Sequence, residues 1–310
     1  MGTLCESTCR PRPEGPELKS RSTDTRRLNV GSFEEVRAAL ADSRKRLIRR
    51  GGFTPKYTQE ELLQLASEGL DSDRFIVRLV ESHHVDGYKQ PGGAMKGTLG
   101  RPDAASGDVR YWSTTLDQVE PSDTCPRLIA QQLGVAYKPD ATYKLAVIDK
   151  DIAKEKADAE TFIPTFENLS SYIEGKLPNK PENPDHIRQV MTPEYQAEYR
   201  ELVEGMGDDE WESTKVRARY LASKGLNTDQ IQVFEARMKI QIRTGANQYF
   251  LGNGLTKRLS PSDDKEVYGA LETFTIERNP QTFSDMTNGG RGGPSAYVDL
   301  IDLNPLEFGN

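Results

Sequence analysis

Behind Ser32, apolar residues recur at helical spacing. Phe33, Val36, Leu40, Leu47 and Ile48 mark one face of a helix that stops at Gly51-Gly52. Ser32 and Glu35 have the spacing of a capping box at its start, and Thr58 and Glu61 repeat that signature ahead of a second helix near 59–69. The pattern then changes to period two. Residues 74–81 predict one strand and 110–116 another. The connection between them, 86–108, has glycine at 87, 92, 93, 97, 100 and 107. A connection this long is functional or disordered. Cys125-Pro126 opens a short helix that ends at Gly134, and Tyr143–Asp149 reads as a strand buried on at least one face.

From about 150 to 245 the periodicity is mainly helical, with a Pro/Asn-rich hinge at 178–184. One helix begins at Thr192-Pro193, a second covers 209–223, and a third runs from Thr228 to about Arg243. Strand signals return at Gln248–Leu251, Tyr268–Glu277 and Ala296–Leu303, with a glycine-rich loop at Asn288–Pro294. Strands and helices that fall in separate runs predict an α+β fold, not a doubly wound parallel sheet. The expected organisation is a disordered leader over 1–30 and a first half of the core over 31–149. A helical insertion over 150–245 and core-completing strands over 246–310 follow.

Composition narrows the picture. Net charge is −7, mean hydropathy is −0.69, and no stretch approaches the length of a spanning helix. Residues 1–50 hold 12 basic against 7 acidic side chains, whereas the other 260 hold 29 against 41. An acidic body disfavours general nucleic-acid binding, which depends on neutralising phosphates. The first residues lack the apolar region of a Sec-type signal. Three cysteines are too few for a disulfide framework, so reduced thiols are expected, and His83, His84 and His186 do not have a metal-ligand spacing. No Gly-x-Ser-x-Gly elbow, P-loop or dinucleotide glycine fingerprint occurs in the right context.

Candidate chemistry rests on the two early strands. Alternation puts Arg74 and Arg78 on one face with Ile76 between them, and a planar guanidinium suits pyrophosphate oxygens. Ser113, Thr114 and Thr115 form a hydroxyl row after Tyr111 and Trp112. Hydroxyls can fix a ribose and aromatics can stack on a planar ring. A strand with one wet face and good strand-forming threonines explains the same residues without a ligand.

An Arg on one strand, a hydroxyl triplet on the next after a long loop, a helix over 126–133 and an apolar strand over 143–149 together resemble the NAD-dependent mono-ADP-ribosyltransferase toxins and effectors. The resemblance covers about 74–149 plus one later strand. It implies a split β-sandwich, into which the helical segment read above is inserted, and transfer of ADP-ribose from NAD to a target macromolecule. It further implies Arg78, Tyr111, Thr114 and Thr115 as NAD-binding residues, and Ser113 with a later glutamate as the catalytic pair. Glu272 best fits that glutamate because it lies in strand context, although Ala270 stands where the family often has Gln or Glu. Glu277 is a rival, and Glu212 has the family spacing with Glu210 but begins a helical segment. The implied partners are a target protein and an immunity protein or secretion chaperone, with a cytoplasmic fold delivered into a target cell by a non-Sec route and no membrane span. Two readings of other classes stand beside this one: a non-catalytic interaction protein presenting helices over 190–245, and a nucleic-acid-acting toxin, which the acidic body disfavours.

Overall fold

The computed structural model describes residues 28, 30–50, 55–68, 74–85, 109–112, 114–119, 125–165, 168, 177–183, 185–190, 195–243, 254–258, 268–277 and 298–303. The expected leader apart from Leu28 and Val30, the whole 86–108 connection, Gln248–Leu251 and Asn288–Pro294 lie outside them. The fold is α+β with antiparallel sheets, as the segregated runs predict. Among the described residues, no helix is long and apolar enough to cross a membrane.

The chain forms two compact units, residues 1–163 with 255–310 and residues 164–254. The first unit opens with α1 (Phe33–Arg50) and α2 (Gln59–Glu68). The Ser32 hydroxyl accepts from Glu35 N, while the Glu35 carboxylate reaches back to Gly31 N. At α2 the box closes on itself, with Thr58 N donating to Glu61 Oε2 (2.9 Å) and Glu61 N to Thr58 Oγ1 (3.2 Å). Val36 and Leu40 enter the core, but Ile48 is 45% exposed, so the apolar face of α1 is shorter than the spacing predicts.

The central sheet has the order β3-β1-β4-β9, from β1 (Phe75–Glu81), β3 (Thr114–Thr115), β4 (Tyr143–Asp149) and β9 (Val298–Leu303). β4 is flanked on both edges, which is why its sequence is apolar on both faces. Below it lie Phe75, Val77, Leu79, Leu145, Val147 and Ile301, together with Ile129 and Leu133 of α4 (Pro126–Leu133). Above it lie Ile76, Val80, Ala146, Ile148, Val298 and Leu300. Between β3 and α4 the chain makes one turn of helix, α3 (Leu116–Val119), where the strand reading ran on to Leu116. Cys125, wholly buried ahead of α4, is disulfide-bonded, which corrects the expectation of three reduced thiols.

Two strand runs are shared between sheets. β2 (Val109–Trp112) pairs with β8 (Thr273–Glu277) before the chain passes to β3. β7 (Tyr268–Leu271) pairs with β6 (Leu255–Lys257) before the chain passes to β8. β8 also pairs with β5 (Ala159–Phe162), which follows α5 (Lys150–Ala157). Neither β5 nor β6 was expected from the sequence, where 150–163 reads as helical.

α4 meets β7 without a side chain between them. A Cβ on Gly269 would lie 1.7 Å from Gln132 O and 2.7 Å from Gln132 C, both backbone atoms. Gln132 O also accepts from Thr256 Oγ1 at 2.8 Å, so the helix end is tied down where it would have to retreat. Gly269→Ala is therefore expected to lower stability by about 1–3 kcal/mol, measured by urea denaturation. An unchanged midpoint would show that α4 moves freely.

The second unit is helical: α6 (Asp185–Gln189), α7 (Gln196–Glu204), α8 (Asp208–Glu212), α9 (Thr214–Ser223) and α10 (Thr228–Arg243). The expected single helix over 209–223 is broken at Ser213, whose hydroxyl caps α9 by accepting from Val216 N. Its core joins Tyr199, Leu202, Met206, Leu221, Phe234 and Met238. Arg217 lies buried beside it. The guanidinium donates to Glu235 through Nε (2.6 Å) and Nη2 (2.8 Å), and its Nη1 donates to the terminal carbonyls of α8 at Glu210 (2.7 Å) and Trp211 (3.0 Å).

Candidate functional site

Arg78 sits mid-strand in β1, half-buried and opposite Ala146 of β4. Strand alternation puts it on the same face as Ile76 and Val80. Arg74, two positions before Ile76, is held by Asp149: its Nε and Nη2 lie 2.9 and 2.7 Å from Asp149 Oδ2. The other oxygen of Asp149 accepts from Asp151 N and Ile152 N and so caps α5. Arg74 is thus part of the joint between β4 and α5.

The hydroxyl row does not present a single face. Thr115 pairs with Ile76 and Thr114 with Val77, so alternation turns Thr115 to the Arg78 side and Thr114 to the opposite side. Both are fully buried. Thr114 Oγ1 finds no hydrogen-bond partner among the described residues. Ser113 lies outside the described residues. Tyr111 pairs through its backbone with Phe274, and its side chain lies outside them too.

Thr115 donates to Asp117 Oδ1 (2.5 Å), at the start of α3. Tyr57 Oη donates to the second oxygen of the same carboxylate (2.5 Å), and Lys56 Nζ lies 4.0 Å from it. Asp117 is 3% exposed, and these donors satisfy both oxygens of its buried carboxyl. Asp117 and its partners are not legible in the sequence. The only local signal was a carboxylate two residues after a hydroxyl, and Tyr57 is 60 positions away.

Glu272 is the single residue between β7 and β8. The next residue, Thr273, pairs with Trp112, the last residue of β2 before the chain passes to β3. Taking strand spacing as about 4.8 Å and the rise as about 3.3 Å per residue puts the Glu272 backbone within roughly 15 Å of Thr114. β1 lies beside β3 in the four-stranded sheet, whereas β2 and β8 belong to the three-stranded sheet, so Glu272 is linked to the Arg78 and Thr115 strands through the 112–114 passage between the two sheets. Glu272 is 1% exposed, and its Oε2 has no hydrogen-bond partner among the described residues. Burial alone pushes its pKa up to about 8, which keeps the group protonated at neutral pH.

The rival carboxylates differ in setting. Glu277 ends β8, opposite Ala159, with its side chain outside the described residues. Glu212 is exposed at the end of α8, in the second unit. In that helix the first turn is acidic, and Glu210 accepts from Gly207 N at 3.1 Å, as a helix start requires. A carboxyl with a raised pKa and an oxygen that lacks a partner among the described residues is a candidate general acid or base, and Glu272 has both properties. Comparisons of the chain with protein-family models, with curated proteins and with solved structures find no match.

Proposed function

We propose that this protein is a mono-ADP-ribosyltransferase-like enzyme, a toxin or effector that uses NAD as substrate and modifies a target macromolecule. The observation that carries the reading is the Glu272 carboxyl. It is buried, lacks a hydrogen-bond partner at Oε2 among the described residues, and directly precedes Thr273, which pairs with Trp112 two residues ahead of the Thr114–Thr115 strand.

In this reading Arg78 pairs with the pyrophosphate, because a guanidinium grips phosphate oxygens through two donors. The C1′–N bond to nicotinamide breaks, and its electron pair leaves with the ring, which becomes neutral. Positive charge develops on the ribose, as in glycoside cleavage, and an adjacent carboxylate stabilises it. The cationic nicotinamide ring of bound NAD favours the ionised form of Glu272, which overcomes the burial that otherwise keeps it neutral. The acceptor's lone pair then closes on C1′, and the carboxylate takes its proton. Thr115, oriented by Asp117, holds the strand that faces the ribose. Because Thr114, Thr115 and Glu272 are closed off from solvent, a dinucleotide reaches them only after the chain over them opens.

The test is nicotinamide release from labelled NAD by the full chain in a target-cell lysate. Arg78→Ala and Glu272→Gln are each expected to lower the rate by about 100-fold or more with an unchanged far-UV spectrum. Absence of release from the wild-type chain would overturn the enzymatic reading and leave the helical unit, where Trp211 is 42% exposed, as the functional surface of a binding protein. Full release from both variants would overturn the assignment of Arg78 and Glu272 to the site.

A further inference from the structure

The far end of β1 carries a second group of chemically capable side chains, independent of the site above. The strand ends at Glu81 and the chain turns at once into a single 3₁₀ turn, Ser82–His84. Glu81 precedes the turn in extended backbone, and the tight turn carries both histidines immediately after it. The turn is fixed from both sides: Ser82 N donates to Thr142 O (2.8 Å), Val85 N donates to Ser82 O (3.0 Å), and Val85 is 1% exposed. His83 and His84 therefore project from an anchored backbone. Their ring centroids lie 3.9 Å apart with the planes at 40°.

The carboxylate of Glu81 is divided between two neighbours. Oε1 accepts from Lys138 Nζ at 2.6 Å, and Oε2 lies 3.6 Å from His83 Nδ1. One ligand atom from each of Glu81, His83 and His84 lies within 4.8 Å of the others. Among the described residues this is the one group of three His, Cys, Asp or Glu side chains found that close. Donors around a tetrahedral zinc ion are about 3.3 Å apart, given bonds of about 2.0–2.1 Å. Both histidines are exposed, so rotation about their side-chain bonds closes the difference without moving the backbone.

We infer that Glu81, His83 and His84 form a binding site for a divalent transition-metal ion of the zinc class. Two imidazoles with one carboxylate is a donor set that suits zinc and its neighbours and does not suit calcium or magnesium, which take oxygen ligands. Three ligands from a single turn leave the remaining position open to water or to a further donor, so the ion is exchangeable and not a structural core element. The sequence spacing Glu-x-His-His did not read as a ligand pattern because it depends on the tight turn and on Lys138 taking only one carboxylate oxygen.

The experiment is calorimetric titration of the full chain with zinc chloride. The wild-type chain is expected to take up one equivalent that His83→Ala/His84→Ala does not, and Glu81→Gln is expected to weaken that equivalent at least tenfold. Lys138→Met removes the cation that competes for the carboxylate and is expected to tighten binding several-fold. All these side chains lie at the surface or its edge, so retention of the wild-type far-UV spectrum checks that each variant folds. The inference fails if the double histidine variant binds zinc with the stoichiometry and affinity of the wild type, or if the wild type takes up none.

Discussion

Replacing Glu272 by Gln is expected to make the protein more stable at pH 8 than the wild type and, under the proposed function, to abolish nicotinamide release from NAD. In the folded chain the Glu272 pKa is raised to about 8 by burial, against 4.5 for a free glutamate. Between those values the folded state keeps a proton that the unfolded state has released. Stability contributed by this group is therefore greatest below about pH 4.5, falls as pH rises through the window, and is flat above about pH 8. The full change corresponds to something on the order of 3–5 kcal/mol. Glutamine has nearly the shape of the protonated acid and does not titrate, so the variant loses this slope. Urea denaturation at pH 5 and pH 8 checks it. If the variant and the wild type lose equal stability between the two pH values, Glu272 is not the buried acid described here. A site residue whose removal stabilises the fold is the usual mark of a group kept for chemistry.

The second large effect lies in the helical unit. Glu235→Ala is expected to destabilise that unit by about 3–5 kcal/mol. The reason is what remains behind: Arg217 has only 8% of its side chain exposed and would keep its charge with both strong acceptors gone. Only the neutral carbonyls of Glu210 and Trp211 and the Thr214 hydroxyl would still accept from it. Arg217→Met with Glu235→Leu removes donor and acceptor together and is expected to recover most of the loss. Near-UV and far-UV thermal melts of the single and double variants make the comparison. A single variant as stable as the wild type would show that the pair is dispensable.

The features legible in the sequence are those encoded over a few residues. The capping boxes at Ser32 and Thr58, the Pro126–Gly134 bracket and the apolar run Tyr143–Asp149 each give an element with the expected position. Other elements were not legible because their cause is distant. β5 is four residues long and includes Glu160; its strand character comes from pairing with β8, more than 100 positions away. β6 has three residues, too few to show a period. The break at Glu272 inside an apparently continuous 268–277 strand reflects a change of partner from β6 to β2 and β5, which no local pattern announces. For the candidate site, the residue types were readable but their faces were not. Alternation separates Thr114 from Thr115 once the register against Ile76 and Val77 is known, and the Asp117 network depends on a tyrosine from before α2.

Ile163 and Leu255, the residues on either side of the helical unit, pack into one apolar cluster with Leu65 and Leu271. To the β-rich body, the intervening 91 residues are therefore a bridged gap whose span is already closed by its own two banks. The entropy of joining such banks rises only with the logarithm of the length between them, about 0.6 kcal/mol for each doubling. Over evolutionary time a segment so placed can be enlarged, trimmed or exchanged for another cargo, while the scaffold around Glu272 keeps its geometry.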